Sequence, residues 1–310
     1  MTPRIAFLAC PDTLPGSPTR RPDAFEHDLQ IGALRDGLVG RAEVLEFDWR
    51  APLDQLAQCR IALIGTAWDY TDHPTEFLSK LEALQAAGVQ VCNPPNMVRW
   101  NADKHYLAEL AEAGLPSIPT LWHDNAGPDE VAAAFDHFGC DRLVVKRRVG
   151  AGAVGQDSFT RVALPTADWR AGQAAMIQPF LPAIQSEGEL SFIFIDGAFS
   201  HALIKQAAEG DYRIQSLYGG REVPLDPGSA DLAAAQAVMA ALPFAEPPLY
   251  ARIDMVRLDD GVLAVIEAEL IEPYLYPEQG SRFGSLMANA MLRRAEGKGD
   301  VQDRSGDRDL

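Results

Sequence analysis

The sequence predicts an α/β protein divided into α+β sub-domains, and three observations support this fold class. The chain has 310 residues, more than one hydrophobic core usually holds, so two or three sub-domains are expected. In the first 95 residues, short apolar runs alternate with helical periodicity, as in a βαβ domain. Further on, two pairs of apolar runs are each joined by Asp-Gly, a strong signal for a hairpin of antiparallel strands.

Residues 1–95 form the predicted N-terminal domain. Its loops at residues 10–22 and 66–73 follow predicted strand ends, which is where open α/β sheets bind ligands. The second loop mixes aromatic and polar residues, which suits either the rim of a substrate site or a packed turn. The strands are predicted at residues 4–9, 61–65 and 89–92, and the helices at residues 23–38 and 74–87.

A connecting helix is predicted to begin at Asn101, as its N-cap, and to end at Gly114. Lys104 near the N-terminus of this helix has the wrong sign for the helix dipole. A nearby anion would explain the lysine, and a solvated lysine is the simpler alternative.

The central segment combines a helix at residues 128–138, a strand at residues 142–149 and a glycine-rich loop after it. Lys146 lies in the strand, and the loop contains Gly150, Gly152 and Gly155. Glycines let backbone N–H groups approach an anion closely. No Gly-Lys-Ser/Thr and no helix follows, so the loop is neither a Walker loop nor a dinucleotide fingerprint, and a mobile hairpin is the alternative reading.

A strand at residues 176–181 contains a proline and predicts an extended segment on which a flat base can stack. The hairpin that follows pairs residues 189–195 with residues 198–205 around Asp-Gly. A regular register puts Glu189 and Lys205 on opposite faces. The two can serve one pocket only if a bulge intervenes or if they contact it from two sides. The polar loop at residues 211–220, which carries Arg213, is suited to closing over a ligand.

The second Asp-Gly hairpin, residues 252–269, carries the most informative charges. A two-residue turn at Asp260-Gly261 places Asp254 opposite Glu267 and Arg252 opposite Glu269. With period-two alternation, all four charged side chains project from one face. Three apolar residues are predicted to share that face: Leu258, Leu263 and Val265.

Three carboxylates at this spacing repel one another unless a cation lies among them. Because opposed Cβ atoms are only about 4.5–5.5 Å apart, a hard divalent ion with oxygen ligands is the natural occupant. The ion expected is Mg²⁺, with Mn²⁺ as an alternative, and a solvated acidic face is the reading without a metal.

Composition and charge exclude several classes of protein. The formal net charge of −17 argues against a nucleic-acid or anionic-membrane partner. No apolar run approaches a membrane span and the N-terminus lacks a signal peptide, so a cytoplasmic protein is expected. Four widely spaced cysteines indicate reduced core thiols. Residues 296–310 are charged and almost without apolar side chains, so they are predicted to be disordered.

The order of these motifs resembles the ATP-grasp superfamily, most of all the branch that contains bacterial glutathione synthetase. The resemblance covers about residues 1–294, and Arg-x-Asp at residues 252–254 with Glu-x-Glu at residues 267–269 is its most specific part. The sequence Glu-Leu-Ile-Glu-Pro at residues 269–273 is in addition similar to the ring-closing ligases that form D-cycloserine. The implied fold has an N-terminal domain (1–95), a linker helix and small lid domain (96–180) and an antiparallel C-terminal domain (181–295).

The resemblance implies a role for each motif residue. Arg252 would stabilise the transferred phosphoryl group or the later oxyanion, with Lys205 and Arg213 nearer the substrate carboxylate. Glu189 would bind the ribose. The family commonly has Asn at the position of Glu269, so this site has one more negative charge. ATP phosphates would contact Lys104, Lys146 and the loop of Gly150, Gly152 and Gly155; adenine would contact Gln178, Phe180 and Leu181; two Mg²⁺ ions would contact Asp254, Glu267 and Glu269.

The implied activity is that of an ATP-dependent carboxylate–amine ligase acting on a small amino-acid-like or peptide substrate through an acyl phosphate. Positioning and charge neutralisation supply most of the rate in phosphoryl transfer, so no nucleophilic side chain is required. The alternatives are a ring-closing ligase, an ATP-grasp kinase, a nucleotide sensor without turnover, and a glycosidase that uses the acid pair. The sequence is compatible with either a monomer or a homodimer.

Overall fold

The structure is a computed structural model that describes residues 2–150, 155–207 and 219–297. It contains three separate sheets, which confirms the predicted fold class. The N-terminal sheet is parallel and has the strand order β2-β1-β3-β4. Its strands are β1 (Arg4–Ala9), β2 (Glu43–Asp48), β3 (Ile61–Ile64) and β4 (Gln90–Cys92).

Helices cover both faces of the N-terminal sheet, which is why its strands are continuous apolar runs. Side chains of β1 alternate between the two cores: Phe7 packs with one pair of helices and Leu8 with the helix on the other face. The chain's last described helix therefore returns to cover the first domain. These elements are α1 (Phe25–Gly37) and α9 (Phe283–Gly297) on one face, α3 (Pro74–Ala86) on the other, and the short α2 (Leu53–Leu56) and a 3₁₀ helix (Trp68–Asp72) in connections.

The small sheet is antiparallel, with the order β5-β8-β6-β7. The helix α6 (Pro128–Phe138) packs on it through Val131, Ala134 and Phe135. The helix ends at Gly139, which has a positive φ of 63°. The strands are β5 (Leu121–His123), β6 (Arg142–Arg147), β7 (Asp157–Thr160) and β8 (Ala175–Pro179).

The five-stranded sheet is antiparallel, with the order β11-β10-β9-β12-β13. One face is covered by α5 (Tyr106–Glu112) and α8 (Ser229–Ala240), which bury apolar side chains such as Phe192 and Ile253. The other face carries charged side chains, described below. The strands are β9 (Glu189–Ile195), β10 (Ala198–Gln206), β11 (Arg221–Leu225), β12 (Tyr250–Arg257) and β13 (Leu263–Glu269), and a short helix α7 (Ala183–Ser186) precedes them.

Buried polar side chains join the five-stranded sheet to the N-terminal sheet. The Asn93 side chain donates to the carbonyls of Tyr250 (2.9 Å) and Leu270 (2.8 Å) and accepts from the Leu249 N–H. The Tyr250 hydroxyl donates to the Ile271 carbonyl at 2.6 Å. These bonds satisfy backbone groups that no sheet satisfies here, so they position the end of β13 against the first domain.

Asn101 has a different role from the one predicted. The helix α4 (Pro95–Asn101) ends at this residue, so Asn101 does not cap a helix that begins there. Its side chain instead donates to the Ala268 carbonyl at 2.6 Å and accepts from the Leu270 N–H at 2.8 Å. The amide side chain offers both a donor and an acceptor, and the end of β13 uses both.

Within residues 2–150, 155–207 and 219–297, no helix has the length and apolar character needed to cross a membrane. All four cysteines are free thiols; Cys10, Cys59 and Cys92 are buried, and Cys140 is half-buried. Glu296 and Gly297 still belong to α9, and the rest of the predicted disordered tail lies outside the described residues. The domain boundaries after residues 95, 180 and 295 stay predictions.

The crossing of α1 and α9 depends on glycine. A Cβ on Gly284 of α9 would lie 2.1 Å from the carbonyl oxygen of Ala33 in α1. A Cβ on Gly32, also in α1, would meet no atom within 4 Å. We expect Gly284→Ala to lower the free energy of unfolding by about 1–3 kcal/mol through overpacking. Gly32→Ala should be neutral or stabilising by up to about 1 kcal/mol. Urea unfolding of both variants checks this, and equal stabilities would contradict the close helix contact.

Candidate functional site

The hairpin of β12 and β13 brings four charged side chains to one face of the five-stranded sheet. Arg252 lies opposite Glu269, and Asp254 lies opposite Glu267, as predicted. Arg252 is 8% exposed and Asp254 is 2% exposed, so the face is not a solvated one at these positions. The charges therefore have to be balanced within the protein.

The turn that leads to this register is longer than predicted. Leu258 N–H donates to the Val262 carbonyl at 2.8 Å across a three-residue loop in which Gly261 has a φ of 84°. A bulge beyond Asp254 then pairs Met255 with Val265. The prediction of a two-residue turn was wrong by one residue, and the bulge compensates for the extra residue before the acids are reached.

The bulge also corrects the predicted apolar face. Leu263 and Val265 lie in the core on the other side of the sheet, not beside the acids. With regular alternation from Glu267, Ile266 would point into that core, but it packs with Val256 and Ile118 in a separate apolar cluster. A one-residue slip moves side chains to the opposite face, so these errors follow directly from the turn length.

A second bulge aligns Glu189 with Lys205. The hairpin of β9 and β10 turns at Asp196 and Gly197, both with positive φ, and its register shifts between Phe199 and His201. Lys205 consequently lies directly opposite Glu189 and forms an ion pair with it. The sequence alone left this question open, and the bulge puts both side chains on the face that carries Asp254.

Asp254 is the centre of a buried ion cluster. Its carboxylate accepts from Ser191 Oγ at 2.5 Å and from Arg252 Nε at 3.0 Å, and Lys205 Nζ lies 3.2 Å away. Burial opposes its charge, but Arg252 and Lys205 hold the pKa of Asp254 below its usual range. Burial likewise opposes the Lys205 ammonium, yet Asp254 and Glu189 raise the pKa of Lys205 well above its ordinary value.

Glu269 forms the outer edge of this cluster. It pairs with Arg252, whose guanidinium also donates to the Tyr274 carbonyl at 3.1 Å. Burial raises the pKa of Glu269 to about 7, and the nearby Glu267 and Asp254 carboxylates add to the rise. The contribution of these two carboxylates is the repulsion expected of crowded acids.

Lys104 connects the small sheet to Glu267. Its ammonium donates to the Gly150 carbonyl at 2.9 Å and pairs with Glu267. The backbone N–H of Lys104 donates to the Arg148 carbonyl at 2.9 Å, at the end of the predicted strand that carries Lys146. Lys104 thus lies beside an anion, as its position in the sequence suggested.

Lys146 faces the same group of charges from β6. Burial lowers the pKa of Lys146, Lys104 adds to this effect, and Glu267 and Glu189 oppose it. Both predicted phosphate lysines therefore lie within electrostatic range of the acidic hairpin.

The glycine-rich loop is described only at its two ends. Gly150 contacts Lys104, and Gly155 has a φ of 69°, where a Cβ would lie 2.1 Å from Arg147 Nε. Gly152 and Arg213 both lie outside the described residues.

The predicted adenine residues lie at the junction of the small and five-stranded sheets. Gln178 is 3% exposed and donates to Thr120 Oγ1 at 2.9 Å. The Phe180 ring lies 3.9 Å below the Arg142 guanidinium. Leu181 packs on the apolar cluster of Ile118, Val256 and Ile266, which adjoins Glu267 along β13.

Two residues near the acids were not predicted as site residues. Glu272 lies three residues after Glu269 and is 9% exposed. Tyr70, in the 3₁₀ helix after β3, is buried, and the charges of Glu272 and Glu267 contribute to raising its pKa. The Glu-Leu-Ile-Glu-Pro motif and the aromatic loop at residues 66–73 were the sequence signals that could have identified them.

The donor set is compatible with Mg²⁺, although the acids here are engaged by cations of the chain. Within the described part of the chain, no group of three His, Cys, Asp or Glu side chains is spaced to hold a metal ion. Asp254 faces Arg252 and Lys205, while Glu267 faces Lys104. Mg²⁺ commonly needs only one or two carboxylates in addition to phosphate oxygens, so Glu267 and Glu269 fit this requirement.

Comparisons with known proteins identify the fold. A family described as the N-terminal domain of D-cycloserine synthetase DcsG matches residues 5–93. The structural match to the D-alanine–D-alanine ligase from Bacillus anthracis spans 98% of this chain and 100% of the ligase chain, with 16% identity and a TM-score of 0.67. The match to the ATP-grasp ligase PsnB spans 94% of this chain and 99% of the PsnB chain, with 18% identity and a TM-score of 0.61.

The chain therefore has the ATP-grasp fold and is an enzyme of the ATP-dependent ligase class that forms C–N bonds. In both sequence and structure it is similar to D-cycloserine synthetase. The match to the crystal structure of D-cycloserine synthetase DcsG spans 94% of this chain and 99% of the DcsG chain, with 23% identity and a TM-score of 0.79. The cycloserine biosynthesis protein DcsG of Streptomyces lavendulae is 29% identical over 263 residues, covering 79% of this chain and 87% of that protein.

The buried pair of Lys205 and Glu189 makes a stability prediction. Lys205→Met leaves Glu189 without its partner, so we expect a loss of about 3–5 kcal/mol in the free energy of unfolding. Adding Glu189→Gln should recover part of that loss, because the uncompensated charge is removed. The control is Arg4→Met, whose pair with Glu43 is about half exposed (side chains 49% and 53%). That variant should change stability by less than about 1 kcal/mol. Equal effects at the two sites, measured by urea unfolding, would contradict the buried cluster.

Proposed function

We propose that the enzyme uses ATP to convert a carboxylate of a small amino-acid-like substrate into an acyl phosphate, which an amine then attacks. One observation carries the proposal: three carboxylates and four cations from separate elements meet between the small sheet and the five-stranded sheet. Charge neutralisation and positioning supply most of the rate in phosphoryl transfer, and this arrangement provides both. The residues are Asp254, Glu267, Glu269, Lys104, Lys146, Lys205 and Arg252.

The nucleotide would lie between the two sheets. Leu181 and its apolar cluster offer a surface for the adenine, with Gln178 and Phe180 beside it. Lys104 and Lys146 would contact the phosphates, because an added anion stabilises the ammonium of a lysine whose pKa burial has lowered. Lys104 now pairs with Glu267, so this ion pair would give way when a nucleotide enters.

Glu267 and Glu269 would hold Mg²⁺, with Mn²⁺ as the alternative ion. When bound, the metal supplies charge neutralisation on the phosphate oxygens. Lys104 and Arg252 form ion pairs with these two acids, which supports a position where positive charge is favourable. Burial raises the pKa of Glu269 and the repulsion of Glu267 and Asp254 adds to the rise; a divalent cation among these acids would relieve that repulsion.

Arg252 would stabilise charge on the transferred phosphoryl group and on the oxyanion of the tetrahedral intermediate. Asp254 and the Tyr274 carbonyl hold its guanidinium in one orientation. Lys205 is 4% exposed and paired with Glu189 and Asp254, which suits a lysine that orients these acids. Glu189 would then present its carboxylate to the ribose hydroxyls from a fixed position.

Ring closure within one substrate is the second candidate. The observation that favours it is the similarity to D-cycloserine synthetase in both sequence and structure. In both versions the carboxylate attacks the γ-phosphorus and ADP leaves. The amine nitrogen then attacks the acyl carbon, phosphate leaves and one proton is released. The versions differ only in whether carboxylate and amine belong to one molecule.

The test is ADP and phosphate release with amino acids supplied singly and in pairs. Release that needs both an acid and an amine supports the intermolecular ligase. Release with a single diamino acid, together with a product lighter than the substrate by one water, supports ring closure. A stable phosphorylated acid as the product indicates a kinase, and ATP binding without turnover indicates a sensor.

Glu267→Gln tests the metal assignment. The substitution removes a charge but keeps the shape, so we expect ADP release to fall about 100-fold or more, as for loss of a group that stabilises transition-state charge. The matched control is Glu246→Gln, at an exposed glutamate in the loop before β12, which should keep wild-type activity. Unchanged thermal unfolding shows that both variants fold. Full activity in Glu267→Gln would rule out this carboxylate as a metal ligand.

A further inference from the structure

Glu272 is a buried carboxyl group whose backbone is fixed on both sides. Before it, the Leu270 carbonyl accepts from Asn93 at 2.8 Å and the Ile271 carbonyl accepts from Tyr250 at 2.6 Å. After it, the Tyr274 carbonyl accepts from Arg252 at 3.1 Å. Such a segment has little freedom to move its side chain away from the acid cluster, so its position is built into the fold.

Glu272 differs from the other buried acids in its partners. Asp254, Glu267, Glu269 and Glu189 each form an ion pair with a lysine or arginine. Among residues 2–150, 155–207 and 219–297, no cation lies within ion-pair distance of Glu272, although it is only 9% exposed. A buried carboxylate without a cation is costly, so a role in stability alone does not account for it.

The surroundings of Glu272 place it on the acceptor side of the candidate site. The preceding Ile271 is packed in the core of the N-terminal sheet with Tyr70, while β13 carries Glu267 and Glu269 towards the proposed nucleotide. Glu272 therefore lies between the acids that would face the phosphates and the 3₁₀ helix at the carboxyl edge of the first sheet. That edge is where an open α/β sheet binds its ligand.

We propose that Glu272 binds the attacking amine and accepts its proton during C–N bond formation. This inference rests on the proposed ligase function. The amine enters as an ammonium ion, donates a hydrogen bond to the Glu272 carboxylate and transfers a proton to it. The free nitrogen lone pair attacks the acyl carbon, the C–O bond to phosphate breaks, and the leaving phosphate carries away the second nitrogen proton as hydrogen phosphate. The proton on Glu272 then passes to solvent, which restores the carboxylate.

The chemistry of the site agrees with this role. A general base needs a pKa closer to the operating pH than that of an ordinary carboxyl group. Burial raises the pKa of Glu272 well above its ordinary value, Glu269 and Glu267 add to the rise, and Lys104 opposes it. The titratable and charged groups that face Glu272 are Glu267, Glu269, Lys104, Tyr70 and Tyr250.

The experiment separates acyl-phosphate formation from amine attack. Wild type, Glu272→Gln, Glu272→Asp and the Glu246→Gln control are incubated with ATP, Mg²⁺ and D- or L-alanine or serine. Hydroxylamine, which is uncharged near neutral pH and needs no base, traps the acyl phosphate as a hydroxamate. Methylamine, which is an ammonium ion at that pH, serves as the second amine probe.

We expect Glu272→Gln to form hydroxamate within about threefold of wild type but to lose about 100-fold or more with methylamine, the usual contribution of a general base. Its defect with methylamine should shrink as the pH rises towards the pKa of the amine, and Glu272→Asp should recover part of the rate. Thermal unfolding of Glu272→Gln should match or exceed wild type, because a neutral amide replaces a buried carboxyl group that has no ion-pair partner among the described residues.

Three outcomes overturn the inference. Equal losses with both amines would place Glu272 in the phosphate or metal site, and no loss would give it no part in the reaction. A methylamine defect that stays constant with pH would indicate a structural role. In those three outcomes the wild-type enzyme is active. If wild type forms neither ADP nor hydroxamate with any of these acids, the proposed ligase function itself fails, and the inference about Glu272 fails with it.

Discussion

The buried ion cluster around Asp254 is the constraint on which the rest of the site depends. A carboxylate that is 2% exposed requires compensation, and Ser191, Arg252 and Lys205 provide it from three adjacent strands. Replacing such a cluster by apolar residues would often be neutral for stability, but losing one member is costly. The cluster therefore specifies the register of the five-stranded sheet, because any slip would bury an unpaired charge.

The register in turn determines what Arg252 can do. Its guanidinium is held by Asp254 on one side and by Glu269 and the Tyr274 carbonyl on the other. An arginine with all of these partners loses little further freedom when an anion binds, which is the advantage of a preorganised site. Bulges in β10 and β13 permit this geometry, since each re-aims one strand without breaking the sheet.

The N-terminal layer contributes through a few polar side chains that cross between domains. Asn93, Asn101 and Tyr250 hold the end of β13 and the residues after it. These bonds bring Glu272 near Tyr70 and the carboxyl edge of the parallel sheet. In the proposed function, the two antiparallel sheets form the nucleotide side of the site, and the first domain meets them at the proposed acceptor side.

Local patterns in the sequence determined the fold class and the pairing of the four hairpin charges. Alternating apolar runs and helices imply the parallel sheet, and Asp-Gly with period-two alternation implies that Arg252, Asp254, Glu267 and Glu269 share a face. The resemblance of the motif order added the ATP-grasp fold, which the structure confirms.

Only the tertiary structure decided the bulges, and with them the pairing of Glu189 with Lys205 and the faces of Leu263, Val265 and Ile266. A bulge has no reliable local signature, because it forms where packing and charge pairing on two strands can both be satisfied only by one extra residue. The same holds for Asn101, whose side chain meets backbone groups 167 residues away in the chain. Glu272 became a candidate residue only because long-range packing brings it beside the acids. Hydrophobic periodicity describes which face a residue occupies, whereas the partner that it meets depends on how the separate domains pack.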